Sequence, residues 1–220
     1  MTGNGQPSTQ PASSFRAVVW DFGGVITSSP FDSFNRFEAD NNLPKDFIRR
    51  INATNPDTNA WAQFESNQID LDEFDALFTE EARQQGGGIS GRQVINLLRG
   101  DIRPGMVEAL RRCKTHFKTG CITNNTRSPG EWDSMLSGTM ALFDHVIESS
   151  KAGMRKPDPR IYAMMCETLG VNPHEVIYLD DLGINLKPAR AMGMATIKVA
   201  SEPQALAELE KLTGLTLVEH

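Results

Sequence analysis

Five short apolar runs, rich in β-branched and aromatic residues, recur along this chain with helix-period stretches between them, and that alternation constrains the fold more than any other feature. The runs are RAVVWD (16–21), KTGCIT (118–123), HVIES (145–149), VIYLD (176–180) and ATIKV (195–199). Helical patterns fill 104–113, which begins on Pro104 in a first-turn position, and 159–169, 184–192 and 203–212, which stop at Gly170, Gly193 and Gly214. Strands alternating with helices imply an α/β fold: a Rossmann-like, mainly parallel sheet of about five strands with helices on both faces.

One interval breaks the rhythm. About a hundred residues separate the first run from the second, far more than one crossover helix needs, so an extra module is expected there. Residues 28–100 read as a small all-helical cap inserted after the first strand, which leaves 15–27 and 101–220 for the core domain. Phe31, Phe34 and Phe37 recur at near-helical spacing, and Ile48 with Ile51 continues the pattern. Asp70 with Glu73 forms a capping-box pattern ahead of Phe74, Leu77 and Phe78, while Val94, Ile95, Leu97 and Leu98 supply a further apolar face. Aromatics at helical period are core far more often than ligand contacts, so the stripe is expected to hold the cap together. Gly86-Gly87-Gly88 follows no strand and reads as a flexible connector rather than a phosphate loop.

Composition excludes several function classes. The 220 residues carry 22 Lys plus Arg against 28 Asp plus Glu, a net charge of −6, without the basic block that a nucleic acid or an anionic membrane would require. No run approaches the roughly 18 apolar residues of a membrane span, so a soluble chain is expected. Cys113, Cys121 and Cys166 are odd in number, widely spaced and without a C-x-x-C pair, which argues against a disulfide framework or a zinc site and points to a reducing, cytoplasmic setting. Residues 1–14, MTGNGQPSTQPASS, lack the charged and apolar regions of a secretion signal and read as a disordered tail. A small molecule is the expected partner, and no pattern sets an oligomeric state.

In an open parallel sheet ligands bind at the carboxyl ends of the strands, so the informative residues are those just past each run. They are Asp21, then Thr123-Asn124-Asn125, then Asp180-Asp181, with Lys156 in the loop GMRKPDP after the third strand. Carboxylates suit a hard cation such as Mg²⁺, and Lys with Thr or backbone N–H groups suits phosphoryl oxygens. Each residue alone is as well explained as a cap, a turn or a surface charge. Their joint occurrence at successive strand ends is not.

Asp21-Phe22-Gly23-Gly24-Val25, Thr123-Asn124, Lys156-Pro157 and Asp180-Asp181, in this order and with a helical insertion after the first, resemble the four motifs of the haloacid dehalogenase-like hydrolases. More narrowly, GMRKPDPRIY (153–162) and YLDDLGINLKPARAMGM (178–194) resemble the N-terminal phosphatase domain of soluble epoxide hydrolase and its free-standing bacterial relatives. The epoxide-opening domain has no counterpart in this sequence, and epoxide hydrolysis is not expected. The resemblance implies a Mg²⁺-dependent phosphatase acting on a small phosphomonoester, with Asp21 as the nucleophile that forms an aspartyl-phosphate. It also implies that Asp21, the Gly23 carbonyl, Asp180 and Asp181 form the metal site. Thr123 and the Asn124 amide would hold the phosphoryl group, and Lys156 would neutralise both Asp21 and the phosphate. Asn185 is read equally as orienting the metal-site loop or as a plain first-turn residue of the next helix.

One position departs from the pattern. Members of this family usually carry a second Asp two residues after the nucleophile, as general acid and base, and here that position is Gly23. Its loss removes an effect typically worth about 10² to 10⁴ in rate, which substrates with acidic leaving oxygens would feel least. Two alternatives follow: a 2-haloacid dehalogenase, which needs no second Asp but leaves Asp180-Asp181 unexplained, and a phosphate-binding protein without turnover. His116 and His174 read as element-end residues, Cys121 as core, and Trp20 and Tyr178 as pointing to the sheet faces. Trp61 and Trp132 are candidate substrate contacts.

Overall fold

The computed structural model describes residues 14–98, 100–125 and 134–217. The expected tail falls on residues 1–13, apart from Ser14, and lies with Trp132 outside the described residues. Five parallel strands, β1 (Ala17–Trp20), β2 (Lys118–Thr123), β3 (His145–Glu148), β4 (Val176–Asp180) and β5 (Ala195–Lys198), form one sheet in the order β3-β2-β1-β4-β5. The first strand therefore sits at the centre, with Trp20 opposite Cys121 on one side and Leu179 on the other.

Alternation along the strands divides the core into two layers, because successive side chains leave a strand on opposite faces. Val18, Trp20, Ile177, Leu179 and Ile197 pack against Met106, Ala109 and Leu110 of α6 (Pro104–Lys114) and Leu206 and Leu209 of α11 (Glu202–Thr213). After the short helices α7 (Ser134–Met140) and α8 (Ser149–Ala152), which flank β3, come α9 (Pro159–Leu169) and α10 (Gly183–Ala191), against which Ala17, Val19, Ile122 and Tyr178 pack on the other side. Trp20 and Tyr178 thus point to opposite faces of the sheet. Gly120 lets α9 approach β2: a Cβ there would lie 2.6 Å from the sulfur of Met165. Cys121 is buried in the first layer, where burial pushes its thiol pKa up and makes it inert.

Between β1 and α6 lie, among the described residues, five helices, α1 (Pro30–Asp40), α2 (Phe47–Ala53), α3 (Ala60–Glu65), α4 (Leu71–Gln84) and α5 (Gly91–Asn96). They enclose a third apolar cluster that shares no residue with the two sheet layers and contains Phe34, Trp61, Phe64, Phe74 and Phe78. Phe34 is buried, while Phe31 and Phe37 are partly buried against the same cluster, so the aromatic stripe is core. Asp70 and Glu73 form the capping box at the start of α4. The glycine run does connect α4 to α5, and its middle residue is packed: a Cβ on Gly87 would lie 2.2 Å from the Phe47 ring, whereas one on Gly86 or Gly88 would meet nothing within 4 Å. The two chain segments that join the helices to the sheet run side by side. Thr27 bridges Ile102, Ser28 N–H donates to the Asp101 carbonyl at 2.7 Å, and Arg103 N–H donates to the Ile26 carbonyl at 2.9 Å. No helix among the described residues is long and apolar enough to cross a membrane.

Candidate active site

Parallel pairing brings all the strand-end residues to one edge. Asp21 follows β1, Thr123 ends β2, Asp180 ends β4, and Lys156 sits in the turn ahead of α9. His116 and His174 precede β2 and β4 and so lie at the opposite edge, away from this chemistry.

Lys156 is the hub. Its side chain is 1% exposed and its Nζ donates at 2.8 Å both to Asp21 Oδ1 and to Asp180 Oδ2. Burial alone would lower its pKa, but the two carboxylates outweigh this and hold the ammonium charged well above its usual range. Asn124 fixes the Lys156 backbone, accepting from its N–H at 2.8 Å and donating to its carbonyl at 3.1 Å. The Asn124 side chain is therefore committed to positioning Lys156. The Thr123 side chain is buried and makes no hydrogen bond among the described residues, so its hydroxyl is free to donate.

The three carboxylates differ in what they have left to offer. Asp21 Oδ1 accepts from Phe22 N–H at 2.7 Å as well as from Lys156, whereas its Oδ2 has no donor among the described residues. Asp180 is fully buried and saturated: Oδ1 takes Leu182 N–H at 2.8 Å, Oδ2 takes the Tyr178 hydroxyl at 2.6 Å, and Asn185 Nδ2 lies 3.1 Å from both. Asn185 is thus both a first-turn residue of α10 and an orienting donor. Asp181 meets Ser29 Oγ at 3.5 Å and lies over Gly24, where a Cβ would fall 2.2 Å from its Oδ2. With φ at +76°, Gly24 is required twice over: by its left-handed backbone and by this close approach.

Charge does not balance here. Carboxylate oxygens of Asp21, Asp180 and Asp181 all lie within 4.8 Å of one another, and among the described residues they are opposed by the ammonium of Lys156 and, at Asp181, by Arg103. Burial raises the Asp21 pKa well above normal, opposed by Lys156 and reinforced by the two neighbouring aspartates. Asp181 is pushed up to about 6, mainly by burial and then by Asp180. Clustered oxygen donors with excess negative charge fit a hard divalent cation, which would relieve the repulsion that otherwise favours protons.

Several contributors were not visible as site residues in sequence. Tyr178 lies two residues before Asp180, and strand periodicity was the available signal that the two share a face. Arg103 donates to the Gly24 carbonyl at 2.8 Å. Arg155, next to Lys156, reaches the helical insertion: its Nε lies 2.9 Å from Glu65 Oε2 and its Nη1 donates to the Pro56 carbonyl at 3.1 Å. Trp61 packs inside the helical cluster and donates from Nε1 to Glu65 Oε1 at 2.9 Å, so its polar atom serves this junction.

An open parallel sheet with its acids and lysine gathered at the carboxyl edge defines an α/β protein whose polar site lies where such sheets bind their ligands. The chain matches the model of the haloacid dehalogenase-like hydrolases over residues 15–193 and belongs to that family. It is 34% identical to mouse bifunctional epoxide hydrolase 2 across 93% of its own length, and spans about 40% of that relative. It is 28% identical to the sesquiterpene phosphatase astK of Aspergillus oryzae, covering 91% of this chain and 97% of the relative. Among solved structures, a HAD-family enzyme of Bacteroides thetaiotaomicron in complex with magnesium and inorganic phosphate superposes with a TM-score of 0.55 at 19% identity, covering 83% of this chain and 93% of that one.

Proposed function

We propose that this hydrolase is a Mg²⁺-dependent phosphatase that cleaves a small phosphomonoester through an aspartyl-phosphate on Asp21. The observation that carries the reading is the bridge of Lys156 between Asp21 and Asp180 beside a cation-sized cluster of carboxylates. A phosphatase among the relatives, and a structural neighbour holding magnesium and phosphate, support it.

In this mechanism Asp21 Oδ1 is pinned by Phe22 N–H and Lys156, which leaves Oδ2 to attack phosphorus while the bond to the leaving oxygen breaks. Lys156, the Thr123 hydroxyl and the Asn124 N–H take the charge of the phosphoryl oxygens. Water then attacks the phosphorus of the aspartyl-phosphate, returning the Asp21 carboxylate and releasing inorganic phosphate. A bound Mg²⁺ would be held by Asp21, Asp181 and the Gly23 carbonyl, and supplies neutralisation of phosphoryl charge. Asp180, whose oxygens are already engaged, adds its charge to this site and anchors Lys156.

No side chain at position 23 can protonate the leaving group, so the preferred substrates carry an acidic leaving oxygen: aryl, acyl or anomeric sugar phosphates. The deciding experiment is phosphate release from p-nitrophenyl phosphate and a panel of sugar phosphates, with and without Mg²⁺, beside Asp21→Asn. Metal-dependent release that vanishes in the variant supports the proposal. Silence from folded protein that still binds Mg²⁺ rejects it in favour of a binding role, and chloride release from a haloacid in EDTA rejects it in favour of a dehalogenase.

A further inference from the structure

We propose that Tyr178 is a positioning residue for Lys156, acting through Asp180, an inference that rests on the phosphatase reading above. The Tyr178 side chain is fully buried on β4, the strand beside the central one, in a layer where an apolar residue would fill the space. Instead its hydroxyl donates at 2.6 Å to Asp180 Oδ2, the same oxygen that receives Lys156 Nζ at 2.8 Å. A second tyrosine backs the arrangement. Tyr162 of α9 packs edge-on against Tyr178, with ring centroids 5.4 Å apart, and donates at 2.7 Å to the carbonyl of Asn185, whose side chain holds Asp180 from the other side.

The consequence is electrostatic. Lys156 stands 2.8 Å from each of two carboxylates, so its placement depends on how strongly each one draws it. The phenol takes up part of the hydrogen-bonding capacity of Asp180 Oδ2 and so tempers its pull. Without it, a fully buried Asp180 is short of one donor and draws the ammonium toward itself, away from Asp21 and from the phosphoryl group that Asp21 attacks. Tyr178 thereby keeps Lys156 shared between the two acids.

The test is Tyr178→Phe, which keeps the ring and deletes the hydroxyl. The expected result is a fall in kcat on p-nitrophenyl phosphate of about tenfold, the size of one hydrogen bond to a charged group, with Mn²⁺ affinity unchanged. The double variant Tyr178→Phe/Asp180→Asn is expected to be no slower than Asp180→Asn alone, because the hydroxyl acts only through that carboxylate. A crystal structure of Tyr178→Phe should show Lys156 Nζ at Asp180 and beyond hydrogen-bonding distance of Asp21. Unchanged kcat, a loss of thermal stability alone, or Lys156 still bridging both acids in the variant overturns the inference. Wild-type protein that releases no phosphate overturns the phosphatase reading instead, and the crystal comparison then decides the placement of Lys156 by itself.

Discussion

Replacing Gly23 with Asp tests whether the missing acid limits this enzyme. The position has room: a Cβ built there meets nothing within 4 Å, and its φ is not among the positive values that strain an L side chain. Asp21 lies two residues before this position and Asp181 packs over Gly24 beside it, and acidic neighbours raise the pKa of an added carboxyl, as an acid catalyst requires. General acid catalysis spans about 10² to 10⁴ in rate, and a side chain not supported by evolved neighbours belongs at the lower end. We expect kcat/KM on an alkyl phosphate to rise about 100-fold, or about 2.7 kcal/mol of barrier, with little change on p-nitrophenyl phosphate, whose leaving group needs no proton. Gly23→Ala should give no gain on either substrate, which separates the carboxyl from the methylene. Gly24→Ala, one residue on, should lose both activity and stability, because its Cβ would collide with Asp181. Steady-state kinetics on the paired substrates, with thermal melts as a folding control, read the outcome. Equal gains or equal losses of Gly23→Asp on both substrates refute the reasoning, since the side chain would then not address the leaving group.

Four further outcomes follow from the same geometry. Lys156→Met should destabilise the metal-free protein by about 3–5 kcal/mol in chemical denaturation, because two buried carboxylates lose their counter-charge. Asp21→Asn should abolish turnover yet raise the melting temperature without metal, since it removes one of three crowded charges whose burial already favours the protonated form. Asp181 binds its proton more tightly folded than unfolded, with a pKa pushed up to about 6, so metal-free stability should fall as pH rises from about 4 through 6. Saturating Mg²⁺ should flatten that dependence in melts across the range, and a stability that rises with pH would contradict the charge argument. Arg155→Gln strips the counter-charge from Glu65, a side chain only 8% exposed, and should speed proteolysis within the helical insertion. Adding Glu65→Gln should restore resistance, and additive damage would show that the pair does not join the insertion to the sheet.

The elements of this chain were legible because each is written in local pattern. VIYLD reads as a strand buried on both faces, Pro159 and Gly170 bracket a helix, and Asp70 with Glu73 marks a helix start, without reference to anything distant. The site was legible to the same depth: strand-end residues in a parallel sheet share an edge, so Asp21, Thr123, Lys156 and Asp180 could be expected together. Their division of labour could not. The motif resemblance assigns Asn124 to a phosphate site, but its side chain clamps Lys156, 32 residues away. Gly86-Gly87-Gly88 reads as flexible, but Gly87 is pressed against Phe47.

The amino-acid sequence by itself determined the strands, the helices and the chemical types available at each strand end, because periodicity, caps and turn residues act within a few positions. Only the tertiary structure decided that β1 lies at the centre, that Lys156 bridges two aspartates, that the Tyr178 hydroxyl reaches the same oxygen as Lys156, and that Arg155 joins the helical insertion through Glu65. Those outcomes depend on hydrogen-bond distances between residues up to 159 positions apart in the chain, and no local pattern carries such distances.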